Sequence, residues 1–185
     1  TLSLHDALPI LLMKYILSID QGTSGTKTLI VDEHGKVCAK GSLTLKTNYL
    51  SNGFVEQDPE DIFQNVLSSV KECIEAFKST GNNVNEITTC GISNQRETFI
   101  IWNKEGKPLY NAVVWQCKRS IEICERLKRQ NLQQTINEKT GLIIDPYFSA
   151  SKIRWILDFD KNIKKRASNN RSGCRSSLRG EPSHS

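Results

Sequence analysis

The residues best suited to chemistry lie between Ile16 and Asp32, in the run Ile16-Leu-Ser-Ile-Asp20-Gln-Gly-Thr23-Ser24-Gly25-Thr-Lys27-Thr-Leu-Ile-Val-Asp32. A carboxylate, Asp20, ends an apolar stretch. Glycine and small hydroxyl residues follow, then the cation Lys27. Backbone N–H groups in such a turn can approach phosphate oxygens without side-chain obstruction. A Walker-type loop would need Gly, four residues, then Gly-Lys-Ser/Thr opening a helix. Here Gly22 and Gly25 stand too close together, and Thr28-Leu29-Ile30-Val31 favours a strand. The segment therefore reads as a phosphate-holding hairpin, with an ordinary ligand-free Gly/Ser/Thr hairpin as its plain alternative.

A second group is dispersed along the chain. Arg96 and Glu97 are adjacent and opposite in charge, offering donors and acceptors side by side. Trp115 and Tyr147 are an indole and a phenol farther along the chain. Read alone, these residues are better taken as a surface charge pair, a core tryptophan and a tyrosine that ends a helix. Trp102 and Trp155 are assigned to packing. His5, His34 and His184 lie far apart, and the six cysteines form no Cys-x-x-Cys pair, so a His/Cys metal site is not expected.

The elements that must position these groups follow from periodicity. Strands are expected at about 14–20 and 26–32, then over Lys36–Thr47 after a turn at Asp32–Gly35, making an antiparallel meander. Asp58-Pro59-Glu60-Asp61 starts a helix, with an N-cap, a proline at the first position and acids in the first turn. Ile62, Val66, Val70, Cys73 and Phe77, flanked by Phe63, Leu67 and Ile74, form its apolar stripe, and Gly81 ends it. Ile87–Ile92 reads as a buried strand, Thr98–Trp102 and Ala112–Trp115 as further strands, and 104–108 as a turn. Helices are expected over about 116–130, with Glu122–Arg126 and Glu125–Arg129 as i,i+4 pairs, near 131–139, and over Ser149–Asp158. Pattern alone yields a mixed α/β chain.

The net charge of +5 is unevenly placed. From Met13 to Asp160 the chain holds 18 Lys+Arg and 18 Asp+Glu, whereas residues 161–185 carry seven cations against Glu181. That basic tail, rich in Ser, Asn, Arg and Gly, is expected to be disordered and non-native. Residues 1–12 precede the single methionine and read as a non-native extension with a native start at Met13. No apolar run approaches the ~18 residues of a membrane span. With no signal peptide, reduced thiols and a cytoplasmic location are expected.

Five segments together resemble one family: Asp20-Gln-Gly-Thr23; Gly53-Phe-Val-Glu-Gln-Asp58-Pro; Gly91-Ile-Ser-Asn-Gln-Arg96-Glu97-Thr98; Tyr110-Asn-Ala-Val-Val-Trp115-Gln-Cys-Lys-Arg119; and Thr140-Gly-Leu-Ile-Ile-Asp-Pro-Tyr147-Phe-Ser. They look like the N-terminal part of an FGGY carbohydrate kinase, and within that family like the glycerol kinases. The run Tyr147–Asp158 fits a family signature almost throughout. The resemblance covers about 13–160. It implies a ribonuclease-H-like (actin-like ATPase) α/β fold, as the incomplete N-terminal domain of a two-domain sugar kinase. It further implies ATP-dependent phosphorylation of glycerol to glycerol 3-phosphate, with ATP and Mg²⁺ as cofactors. Asp20 matches the family's aspartate near Mg²⁺, held through water. Thr23, Ser24, Gly25 and Lys27 match the ATP phosphate contacts, and Arg96, Glu97, Trp115 and Tyr147 the glycerol site. Gly25 stands where serine is usual and Lys27 where many glycerol kinases have arginine. The general-base aspartate and the closing domain are expected downstream of this chain, so the catalytic base is unassigned and the chain is expected to be an inactive fragment. Glycerol or a similar polyol is the expected partner, with no nucleic acid and no membrane, and homo-oligomerisation is left open for the full-length parent. The rivals are another FGGY kinase, such as a pentulose kinase, and a non-catalytic actin-like binding module.

Overall fold

The computed structural model describes residues 14–168, which divide into two compact units. In the first unit, β1 (Tyr15–Gly22), β2 (Gly25–Val31) and β3 (Val37–Thr44) form the expected antiparallel meander. With β6 (Ile87–Asn94) they make a four-stranded sheet in the order β3-β2-β1-β6. Helix α1 (Pro59–Ser79) begins at the predicted proline, and the Asp58 carboxylate accepts from the Glu60 N–H at 2.8 Å. Gly81, in the left-handed region at φ 84°, follows its end.

Tyr15, Ile30, Ala39, Cys73 and Phe77 form the core of this unit, with the Tyr15 and Phe77 rings edge-to-face at 4.8 Å. The buried positions of α1 are Ser69, Cys73 and Phe77, whereas Phe63 and Leu67 stay exposed. Ser69 takes a place on the buried face because the backbones nearly touch there. A Cβ on Gly41 would lie 2.2 Å from the Ser69 carbonyl oxygen. The Ser69 hydroxyl meets that of Thr28 at 2.8 Å, so this buried polar pair is satisfied. Gly41→Ala is expected to cost about 1–3 kcal/mol by prising α1 from β3, read as a lower urea midpoint at unchanged slope.

The strand β6 departs from its expected buried character. Cys90, Gly91 and Ile92 are exposed, Ile92 by 69%. An uncharged apolar run predicts a buried strand only when both faces are covered, and no described element covers this one.

The second unit holds a short sheet in the order β4-β5-β7, from β4 (Asn48–Tyr49), β5 (Val55–Gln57) and β7 (Ala112–Val113). The third predicted strand therefore ends at Thr44, since the next extended residues pair elsewhere. Thr98–Trp102 makes only the isolated bridges Phe99–Val113 and Trp102–Pro108. Helices α2 (Ile121–Arg129), α3 (Gln133–Thr140) and α4 (Ser149–Phe159) follow. Glu125 pairs with Lys128 at 3.0 Å rather than with Arg129. Val55, Phe99, Ile101, Val113, Val114, Cys117, Ile156 and Ile163 form the core.

Helix α5 (Lys161–Ser168) corrects the expectation of a structureless tail from Lys161. The Asp160 carboxylate caps it, accepting from the N–H groups of Asn162 at 2.7 Å and Ile163 at 3.3 Å. Ile163 is buried in the core of this unit, where Ile156 of α4 also lies, and Ala167 packs against the same core. The rest of that tail and the N-terminal extension expected at 1–12 lie outside the described residues.

Candidate functional site

The hairpin residues sit in the first unit. Asp20 pairs with Lys27, Gln21 with Thr26 and Gly22 with Gly25, which leaves Thr23 and Ser24 as a two-residue connection. The alternation of β2 buries Thr26, Thr28 and Ile30 and leaves Lys27 exposed on the other face. Asp20 is exposed too, so a carboxylate and an ammonium stand as direct cross-strand partners beside the turn. Gly25 is required by the neighbouring strand: a Cβ there would lie 2.1 Å from the Leu43 carbonyl oxygen. A serine in that place would need β3 to move. Asp32 closes the next turn, its carboxylate accepting from the N–H groups of His34 and Lys36, each at 2.9 Å. The Lys36 N–H does most to hold its carboxyl below the usual range.

The other candidates sit in the second unit. Glu97 has φ 59°, an uncommon conformation for a glutamate. Its carboxylate caps α4, accepting from the Ser149 N–H at 2.9 Å and the Ser149 hydroxyl at 2.7 Å. Arg96 beside it is exposed. The Trp115 and Tyr147 rings meet edge-to-face at 5.7 Å, and Tyr147 meets Phe148 at 5.2 Å. Trp115 is half-buried and Tyr147 is 38% exposed, which leaves an apolar wall facing solvent in part.

Two polar assemblies hold that wall. The Trp115 backbone N–H donates to the Thr98 hydroxyl at 3.2 Å, and that hydroxyl donates to Gln95 Oε1 at 2.8 Å. Gln95 Nε2 donates to Gln57 Oε1 at 2.9 Å, and Gln57 Nε2 to the Thr47 hydroxyl at 2.8 Å. On the other side, the fully buried Lys152 ammonium donates to the carbonyls of Trp115 at 3.1 Å, Pro146 at 2.9 Å and Tyr147 at 2.6 Å. Burial pushes its pKa down to about 8.

Beneath them, Arg119 Nη2 donates to Glu56 Oε1 at 2.5 Å in a pair whose side chains are 0% and 6% exposed. Asn111 donates to the other Glu56 oxygen at 2.8 Å, and the guanidinium lies over the Phe54, Tyr110 and Trp155 rings. Among the described residues, no group of three or more His, Cys, Asp or Glu could hold a metal ion, and no helix is long and apolar enough to cross a membrane.

The N-terminal domain pattern of the FGGY family of carbohydrate kinases matches residues 15–174. The chain belongs to this family. The FGGY match runs past Asp160, where the sequence resemblance was expected to end, and takes in α5. Glycerol kinase 1 of Thermotoga maritima is 51% identical over 154 residues, 83% of this chain and 31% of that protein. The crystal structure of Plasmodium falciparum glycerol kinase with ADP superposes with a TM-score of 0.76 at 36% identity, over 85% of this chain and 31% of that one. A ligand-bound xylulose kinase from Lactobacillus acidophilus gives 0.72 at 27% identity, over 83% of this chain and 30% of that one. The chain thus spans about a third of the length of the FGGY kinases it matches. Its α/β fold is that of their N-terminal domain, as the resemblance implied.

Within this FGGY domain the structure brings Trp115 and Tyr147 into contact and ties Glu97 to the residue that starts α4. Sequence reasoning missed Thr98, Gln95, Ser149 and Lys152 as their supports. Lys152 carried a readable signal, since Ser149, Lys152 and Ile156 share one face of α4 and all are buried. The glutamine relay carried none, because its members come from separate elements.

Proposed function

We propose that this chain is the part of an ATP-dependent glycerol kinase that binds glycerol and the ATP phosphates. The observation that carries this reading is the Glu97, Trp115 and Tyr147 cluster, an anchored carboxylate beside an aromatic wall, with Arg96 next to it. A polyol presents hydroxyls on one side, for which Arg96 supplies donors and Glu97 acceptors. Its carbon face rests on an aromatic ring. The names of the most similar relatives support glycerol over a ketose. The glycerol kinase structure is 36% identical to this chain, against 27% for the xylulose kinase.

In the hairpin, Thr23 and Ser24 offer hydroxyl and N–H donors to phosphate, and Lys27 adds a charge. The exposed Asp20 carboxylate at the strand end fits hydrated Mg²⁺, which takes few protein ligands and fills its shell with water and phosphate oxygens. Bound Mg²⁺ would neutralise charge on the transferred phosphate. A cytoplasmic setting accords with the free thiols Cys38, Cys73, Cys90, Cys117 and Cys124.

Transfer also needs a base for the glycerol hydroxyl and a closed cleft, and neither is assigned to residues of this chain. Glycerol-dependent ADP formation by the chain alone is therefore expected to be negligible in a coupled assay. In nuclear magnetic resonance titrations, glycerol should shift Arg96, Glu97, Trp115 and Tyr147, and Mg-ATP should shift Asp20 to Lys27. A chain that responded to a pentulose at those positions, and not to glycerol, would overturn the substrate assignment.

A further inference from the structure

The Lys152 side chain is 0% exposed, and among the described residues its ammonium meets three carbonyls and no carboxylate at hydrogen-bond distance. All three of its N–H donors go to backbone carbonyls, and those carbonyls belong to the segments that carry the aromatic wall. Burying an ammonium costs several kcal/mol unless each donor is matched, so a lysine used in this way signals a demand for three-way convergence. Trp115 follows β7, whereas Pro146 and Tyr147 belong to the loop that precedes α4. Among the described residues, no backbone ladder joins those two segments. The ammonium ties them, beside the Trp115–Tyr147 edge-to-face contact.

We propose that Lys152 is a positioning residue for the polyol site: by drawing the Trp115, Pro146 and Tyr147 carbonyls onto one ammonium, it sets the separation and tilt of the Trp115 and Tyr147 rings. The inference rests on the reading of that pair as the polyol wall. Lys152 does not itself touch the polyol. Its neighbours in charge are Glu97 at the head of α4, Cys117 and Arg119 after β7, and Cys124 on α2. Glu97 and the two thiols favour the ammonium, while Arg119 and burial oppose it. Proton loss removes one of the three donors and turns a lone pair toward a carbonyl, so the clamp depends on the charged form.

The test follows the three tryptophan indole N–H signals of this chain, with Trp115 assigned through Trp115→Phe. In the unsubstituted chain, raising the pH from 6.5 to 9.5 should shift the Trp115 signal with a midpoint near 8, leaving Trp102 still. The glycerol dissociation constant should rise about tenfold or more over that range. Lys152→Met should shift Trp115 at pH 7 and abolish its titration, and Lys152→Arg should restore part of the glycerol affinity. A Trp115 signal that is flat with pH in the unsubstituted chain would overturn the proposal whether or not the variants fold. So would equal shifts of Trp102 and Trp115 in Lys152→Met, which would mean a general packing role. A Trp115 signal that titrates through Lys152 in a chain unresponsive to glycerol would keep the positioning role and sink the polyol reading.

Discussion

Glu56→Ala is expected to destabilise the second unit by about 3–5 kcal/mol, the largest single effect among the residues discussed. The substitution leaves the Arg119 guanidinium, with 0% side-chain exposure, without its anion. Burial on its own would raise the Glu56 pKa. The hydrogen bonds from Arg119 and Asn111 outweigh it and hold the carboxyl below 4.5. The sign follows: this carboxylate contributes stability above its unfolded value near 4.5 that is lost as the pH falls through the folded value. Urea unfolding at pH 7 should show the loss, and it should shrink as the solution is acidified. Replacing both partners by Glu56→Leu and Arg119→Met should cost much less than Glu56→Ala alone, since no unpaired charge remains. Equal losses in the single and double variants would refute the ion-pair account.

The second large effect is the pH dependence that Lys152 imposes on stability. Its folded pKa is about 8 against 10.5 for an unperturbed lysine. Between those values the unfolded chain binds a proton that the folded chain does not, so stability from this group rises with pH over that window. A shift of this size corresponds to about 3 kcal/mol. The difference in unfolding free energy between the unsubstituted chain and Lys152→Met should move in favour of lysine from pH 8 to pH 10.5. A difference that stays constant across that range would show the ammonium to be less costly to bury than its surroundings imply. The clamp and the stability slope pull in opposite directions. The charged form orders the aromatic wall, and the neutral form is cheaper to bury.

How much was legible depended on how local each feature is. The Asp20–Lys27 hairpin was readable because two alternating strands and the turn between them are short-range, whereas the register that pairs Gly22 with Gly25 was seen only in the structure. The start of α1 was readable for the same reason, since cap, proline and acids occupy consecutive positions. The stripe of α1 was only partly readable. The exposure of Phe63 and Leu67 and the burial of Ser69 depend on where β3 comes closest, at Gly41. Composition hid α5, because Ile163 and Ala167 are a weak apolar stripe among cations and gain their burial from a core that other elements build.

The sequence by itself determined the family motifs, the β1–β3 meander, helices α1 to α4, and which side chains carry the candidate chemistry. Those depend on residue identity and on spacing along a chain whose periodicities are 2.0 and 3.6. Tertiary structure alone decided how the chemistry is held. Glu97 reaches Ser149 across the chain, Thr98 reaches the Trp115 N–H, and Lys152 gathers three carbonyls from two segments. Such contacts arise where buried polar groups must find partners, and the nearest partner in space is rarely the nearest in sequence. The close approach at Gly25 was decided the same way, by a carbonyl on the neighbouring strand that leaves no room for a side chain.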